Sequence, residues 1–249
     1  MKEFYLLIVL FVYCASIEPQ SLSDLDIDIS KFQVASSTNQ IILVIPPNYT
    51  STSAILYFYV KEGNKWVQRK ETNAYIGEYG LGKEVEGDRK TPVGVYKFNF
   101  YFGIEKNPGT TLPYIQVNQS HYWDGDSESE NYNTFVNNET YTEFNASESE
   151  HLIDVNPGYE YALNMDYNKE RTPYKGAGIF LHCFTERTYT AGCVAIHVDE
   201  LRSIYKEINE DCHIIIDTKE NMTKYYSASN ASNFIKNGLF MFMCFILLL

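Results

Sequence analysis

The sequence predicts a single, mainly β domain with one clear α-helix. Three observations carry that expectation. The apolar runs are short and are stopped by Pro, Gly or polar turns, as buried strands are. Aromatic residues make up 15% of the chain, and rings favour the pleated, half-buried surface of a sheet. Only one stretch, residues 197–209, spaces its apolar side chains at helical intervals. No repeat or linker divides the 249 residues, so one core is expected.

Taken in order, residues 41–45 are wholly apolar and end at Pro46-Pro47, which reads as a buried strand. Residues 54–60 form a second strand. Glu62-Gly-Asn-Lys65 makes a hairpin turn, and Trp66-Val67-Gln68 begins the returning strand. A Gly-rich stretch follows at 77–94, with Gly-Asp-Arg-Lys-Thr-Pro-Val-Gly at 87–94. Residues 96–101 alternate and read as a strand, and 161–165 and 178–182 read as core strands. In the helical stretch, Leu201, Ile204, Tyr205 and Ile208 share one face. Asp199 and Glu200 fall in its first turn and Lys206 comes later, as the helix dipole prefers. Residues 213–216 make a last short strand.

The formal charge is −12, which argues against a nucleic-acid partner and against docking on an anionic membrane by charge. Both ends read as addresses. Residues 1–16 have a weakly basic start, a short apolar run and small residues at Cys14 and Ser16, the pattern of a cleaved secretory signal. Residues 227–249 run from a small-residue cluster through a polar spacer to twelve uncharged residues ending the chain. That order predicts a GPI-attachment signal, because so short a tail spans a bilayer poorly; a tail anchor is the alternative. Six Asn-x-Ser/Thr sequons, at Asn48, Asn118, Asn138, Asn145, Asn221 and Asn230, lie before that apolar tail. Together these features describe a eukaryotic secretory glycoprotein, secreted and held at the cell surface by a lipid anchor. The expected mature domain is 17–226, with its core at about 41–216.

No Lys or Arg occurs from Asn107 to Asn168, and residues 124–150 carry Asp124, Asp126, Glu128, Glu130, Glu139, Glu143, Glu148 and Glu150. The simplest expectation is a solvated, glycosylated loop. The functional alternative is a wall beside a site that gathers a cationic group.

The stretch richest in chemistry runs from Gly178 to Ile196. His182 ends an apolar strand, and Cys193 follows the small turn Thr190-Ala191-Gly192. Strand ends and tight turns hold reactive groups on a rigid frame. A thiolate is the nucleophile, and an imidazole takes its proton or lowers its pKa. Amides of the Gly192–Cys193 turn would face an oxyanion. A chance pairing, with Cys193 as a small core residue, is the competing explanation. A metal site is disfavoured, because His182 and Cys183 are strand neighbours and point to opposite faces. For the same reason Cys183 stands apart from Cys193, and a Cys183–Cys212 disulfide is an expectation.

These residues resemble the L,D-transpeptidase catalytic (YkuD-like) domain. The resemblance rests on His182, on the 190–196 block Thr-Ala-Gly-Cys-Val-Ala-Ile, and on the helix after it. Tyr79-Gly-Leu-Gly-Lys83 and the 86–96 segment resemble that family's Gly-Asp-Gly-Lys-Thr-Pro region. Trp123-Asp124 and Tyr132-Asn133 resemble marks of one bacterial branch, and residues 161–168 resemble the strand before the histidine. The resemblance implies an L,D-transpeptidase-like β-sandwich and a thioester mechanism without metal or organic cofactor. Cys193 would be the nucleophile and His182 the base, its ring oriented by a backbone carbonyl. Thr190 and Gly192 would belong to the oxyanion turn, and the substrate would be a peptidoglycan stem peptide. Ala191 and Ala195 stand where many members carry His and Arg, so substrate details transfer poorly. A eukaryotic chain would act on foreign walls or on another peptide. A non-catalytic wall-binding module and an adhesive surface glycoprotein are the alternatives from other classes.

Overall fold

The computed structural model describes residues 27–228. The N-terminal address, Asn230 and nearly all of the C-terminal address lie outside the described residues.

Twelve strands and one α-helix follow in chain order. They are β1 (Gln40–Ile45), β2 (Ser53–Glu62), β3 (Lys65–Tyr75), β4 (Gly94–Gly103), β5 (Tyr114–Gln116), β6 (His121–Trp123), β7 (Phe135–Asn137), β8 (Glu150–His151), β9 (Ala162–Met165), β10 (Phe180–Cys183), β11 (Val194–Ile196), α1 (Val198–Glu207) and β12 (His213–Ile216). Nine form one mixed sheet in the order β12-β1-β2-β3-β11-β10-β9-β4-β5. The first half of β4 also pairs with β12, Gly94 opposite Ile216 and Lys97 opposite His213. The sheet therefore closes into a barrel, and β5 continues along the edge of β4 that β12 leaves free. Closure removes the open edges a flat sheet would expose.

Alternation sorts the side chains into three clusters. Inside the barrel lie Ile42, Val44, Leu56, Phe58, Leu163, Leu181, Val194, Ile196, Ile214 and Ile216. Helix α1 adds Leu201, Ile204 and Tyr205 to that core, as the spacing predicts. His197 caps it by accepting the Asp199 N–H, and Tyr205 Oη donates to the carbonyls of Ala162 and Phe102. On one outer face, Ile41, Leu43, Tyr57 and Ile215 pack under the 3-10 turns Ile29–Lys31, Gln33–Ser36 and Lys219–Tyr225. On the other, Phe102, Ala162, Phe180 and Cys193 pack under Trp123, Leu152 and Tyr159.

The acidic run beside that second cover is mostly loop, with Glu128, Glu130, Glu139, Glu143 and Glu148 exposed, as expected. It is not loop throughout: β7 and the start of β8 belong to it, and with β6 they form a small antiparallel sheet, β7-β6-β8. Asp124 is fully buried: Oδ1 accepts from the Asp126 N–H and Oδ2 from Ser129 Oγ. Buried aromatics hold the segment down, which a count of its charges hides.

The expected Cys183–Cys212 disulfide is also corrected: both thiols are free and buried. Strands β9 and β4 stand between β10 and β12. At ~4.8 Å per strand that is ~14 Å of wall, against the ~5.5–6 Å between Cα atoms that a disulfide prefers. The Cys183 thiol donates to the Tyr161 carbonyl and the Cys212 thiol to that of His213.

Of the sequon asparagines, Asn48, Asn118 and Asn145 are exposed and Asn138 is half-buried. Asn221 is different: its side-chain N–H₂, the atom a glycan would occupy, donates to Asp217 Oδ1 and Tyr49 Oη. Among the described residues no helix is long and apolar enough to cross a membrane.

Candidate active site

Parallel pairing of β10 with β11 sets His182 opposite Ala195 and Leu181 opposite Val194. Cys193 precedes Val194, so Phe180, His182, Cys193 and Ala195 share the outward face. Leu181, Cys183, Val194 and Ile196 share the inward one. His182 and Cys193 open together into a cleft of about 450 Å³. Its walls include Trp123, Glu150 and Tyr159 from the second cover, Gly178 and Ile179 before β10, and Thr190 and Ala191 from the turn.

The turn that presents Cys193 is fixed from three sides. Thr190 N–H donates to the Ile76 carbonyl, and Thr190 Oγ1 donates to the Cys193 carbonyl at 2.7 Å. Thr91, in the Thr-Pro-Val-Gly run and fully buried, donates its Oγ1 to the same carbonyl at 3.3 Å. The Gly77 N–H donates to that Oγ1 at 2.8 Å. Gly192 sits at φ +140°, where a Cβ would come 2.9 Å from the Lys90 carbonyl oxygen, so the glycine answers both strain and space. Its N–H donates to Thr190 Oγ1. Thr190 and Gly192 therefore build the turn and do not aim their own donors into the cleft, a correction to the oxyanion expectation. The turn's remaining amides are those of Ala191 and Cys193.

The paired blocks upstream converge on the same place. Asn133 accepts from Trp123 Nε1 and from the Gly178 N–H on its Oδ1. It donates from Nδ2 to the carbonyls of Tyr167 and Asn168. The Gly178 carbonyl in turn accepts the Cys193 thiol at 3.2 Å, and the Phe180 N–H donates to Sγ at 3.3 Å. Trp123 stands edge-on to Phe180, with ring centroids 5.0 Å apart. Lys83 is buried against Asp88 at 3.0 Å.

His182 donates from Nδ1 to the Cys183 carbonyl at 2.8 Å. A carbonyl only accepts, so Nδ1 carries the proton and Nε2 is the basic nitrogen. Burial pulls the imidazole down to about 4, against the pull of the Cys183 and Gly158 carbonyls. Burial pushes the Cys193 thiol up to about 12; the Phe180 N–H and Lys83 oppose the rise and Glu150 adds to it. At neutral pH both groups are uncharged, a thiol beside a neutral imidazole. Each rests on backbone rather than on the other. Such a pair works by transferring the proton during attack, not from a preformed ion pair.

Tyr159 and Glu150 complete the site; the sequence offered Glu150 only as one of eight acidic residues of a cation-gathering wall and gave Tyr159 no role. Tyr159 stands edge-on to His182 at 5.4 Å and donates its hydroxyl to Glu150 Oε2 at 2.8 Å. Glu150 was hidden among eight acidic residues, and Tyr159 lies outside any motif. Among the described residues no group of three or more His, Cys, Asp or Glu side chains is placed to hold a metal ion.

A buried histidine and cysteine on the outer face of a closed sheet, opening into a walled cleft, define a thiol–imidazole site on a β scaffold. The sequence matches the L,D-transpeptidase catalytic domain (YkuD) over residues 49–216, two-thirds of the chain. The chain belongs to that family. No curated protein matches it. Among solved structures it is similar to the helical cell shape determining protein Pgp2 from Campylobacter jejuni, at 18% identity and TM-score 0.41. That match covers 77% of this chain and 51% of that one. It is similar to Bd1075 from Bdellovibrio bacteriovorus at 16% identity and TM-score 0.39, over 84% and 58% of the two chains. It is also similar to an L,D-transpeptidase from Stackebrandtia nassauensis at 13% identity and TM-score 0.34, over 76% and 60%. The chain thus spans between half and three-fifths of the length of these proteins.

Proposed function

We propose that this chain is a cysteine acyltransferase with L,D-peptidase chemistry, acting on peptidoglycan stem-type peptides through a Cys193 thioester. The observation that carries the reading is the shared outward face of β10 and β11. It brings Cys193 and a histidine of fixed tautomer into one cleft. Family membership supports the reaction class.

As the substrate carbonyl closes on Cys193, the thiol proton passes to His182 Nε2 and the C–S bond forms. Amides of Ala191 and Cys193 are the donors the turn offers the oxyanion. His182 then protonates the leaving amine, a terminal D-amino acid, and the thioester remains. An amine or water releases it by the reverse proton path. Seated outside the cell on a lipid anchor, as the terminal addresses suggest, the enzyme would meet foreign walls rather than build its own.

Incubating the glycosylated protein with stem tetrapeptides should release D-alanine and leave an adduct on Cys193. Absence of product, or equal product from Cys193→Ala, sinks the reading. One observation favours a second: the resting thiol is bound to Gly178 O and pushed to about 12, which suits an inert binding module on the same fold. That module predicts retention on insoluble peptidoglycan unchanged by Cys193→Ala, with no adduct under any condition.

A further inference from the structure

Of the carboxylates that line the cleft, Glu150 is the one whose charge reaches the Cys193 thiol. On the small sheet, Glu150 of β8 pairs with Trp123 of β6. Cross-strand partners share a face. The Trp123 ring packs on Phe180 of β10, so that face looks onto the strand carrying His182. Glu150 lines the cleft with Cys193. Its carboxylate is exposed to water, though the surrounding protein raises its pKa against the pull of the Tyr159 hydroxyl on Oε2. Among the described residues no Lys or Arg pairs with it. Of the cations that line the cleft, Lys83 pairs with Asp88 and Arg89 with Glu78, while Arg187 is exposed and makes no ion pair with Glu150. Glu86 is held by Tyr132. The Glu150 charge reaches the Cys193 thiol and opposes its ionisation. An unpaired carboxylate open to water inside a concave cleft is free to take a cationic ligand there.

We propose that Glu150, oriented by Tyr159, is the ammonium-binding residue of this cleft and the first proton acceptor for an amine that attacks the Cys193 thioester. The ligand class is a primary ammonium on an alkyl chain, as in a diamino-acid side chain. Its binding does not depend on the acyl-transfer reading; its chemical role does. The protons balance. The bound ammonium gives one proton to Glu150 and becomes a free amine. The amine attacks the thioester carbonyl, its second proton goes to His182 Nε2, the C–S bond breaks, and His182 returns that proton to the Cys193 thiolate. Glu150 releases its proton to water. The raised carboxyl pKa suits the first transfer, and neutralising Glu150 removes its penalty on the thiol.

The test uses Nα-acetyl-lysine amide and its neutral isostere Nα-acetyl-norleucine amide on the full chain. The readout is the rate of Cys193 alkylation by iodoacetamide, followed by peptide mass. The lysine derivative should change that rate saturably in wild type and the norleucine derivative should not. Glu150→Gln keeps a partner for the Tyr159 hydroxyl and should raise the half-effect concentration at least about tenfold, the worth of ~1.4 kcal/mol. Glu150→Asp should fall between. Identical behaviour of the two probes, or an unaltered response in Glu150→Gln, overturns the proposal. A second arm reads transfer from the thioester to the lysine derivative against hydroxylamine, which is neutral at pH 7. The ratio should fall about tenfold in Glu150→Gln, and an unchanged ratio overturns the proton role. A wild-type chain that forms no thioester would remove the acyl-transfer reading, while the alkylation arm still decides Glu150.

Discussion

The two faces of the β10–β11 ribbon are built from eight residues, 180–183 and 193–196, yet serve opposite ends. Inward, Leu181, Cys183, Val194 and Ile196 fill the barrel. Outward, His182, Cys193 and Ala195 meet the cleft, and Phe180 packs under Trp123 and Tyr159. The thiols of Cys183 and Cys193 are both pushed up to about 12, burial being the largest cause for each. Acidity at rest therefore does not distinguish the reactive cysteine from the structural one. What distinguishes them is the face: Cys193 has a histidine beside it, a turn beneath it and a cleft in front, while Cys183 faces packed side chains.

The comparison breaks most sharply if the two cysteines are exchanged as targets. Cys193→Ala should abolish the thioester adduct outright, whereas Cys183→Ala should leave adduct formation near wild type and cost about 1 kcal/mol of stability. Mass spectrometry and denaturant unfolding read the two effects. An adduct surviving Cys193→Ala would erase the distinction. His182→Asn should slow thioester formation by roughly 10²–10⁴ at pH 7, the usual worth of a general base, with the fold retained by circular dichroism. Thr91→Val should shift the Cys193 turn. Removing the bond that satisfies the buried Gly77 N–H costs about 1–3 kcal/mol, visible as a lower unfolding midpoint with slower adduct formation.

Two pH measurements sharpen the picture with smaller effects. Alkylation of Cys193 should climb with pH without a plateau up to about pH 10, because the thiol titrates near 12. A plateau beginning in the acid range would show a preformed thiolate–imidazolium pair instead. His182 binds its proton more weakly when folded, near 4 against an ordinary 6.5. The unfolded chain is then favoured by protonation, so this contribution makes stability fall as pH drops from 6.5 towards 4. Unfolding midpoints at pH 7 and pH 5 should lie closer together in His182→Gln than in wild type.

Much of this was legible in the sequence. The first two strands, the hairpin, the helix and the last strand announce themselves through apolar runs and helical spacing. His182 and Cys193 were legible as a pair through the turn and the motif around them. Strand β11 was not, since three residues between a turn and a helix cap carry no period. The small sheet of β6, β7 and β8 was hidden by the acidic residues around it, whose charges describe the surface and not the buried Trp123, Tyr132 and Val136. The Cys183–Cys212 expectation failed because pairing free cysteines by elimination ignores how far apart a closed barrel holds them.

The sequence by itself determined the β character, the one helix, the reactive pair and the acidity of the region beside it. Those are properties of local pattern and residue type. The tertiary structure alone decided that the sheet closes, and that Thr91, Asn133 and Gly178 lock the nucleophile's turn. It also decided that, of those eight acidic residues, Glu150 is the one whose charge reaches the thiol. Each of these depends on residues far apart in the chain meeting at a fixed register, and register is set by the packing of the whole core.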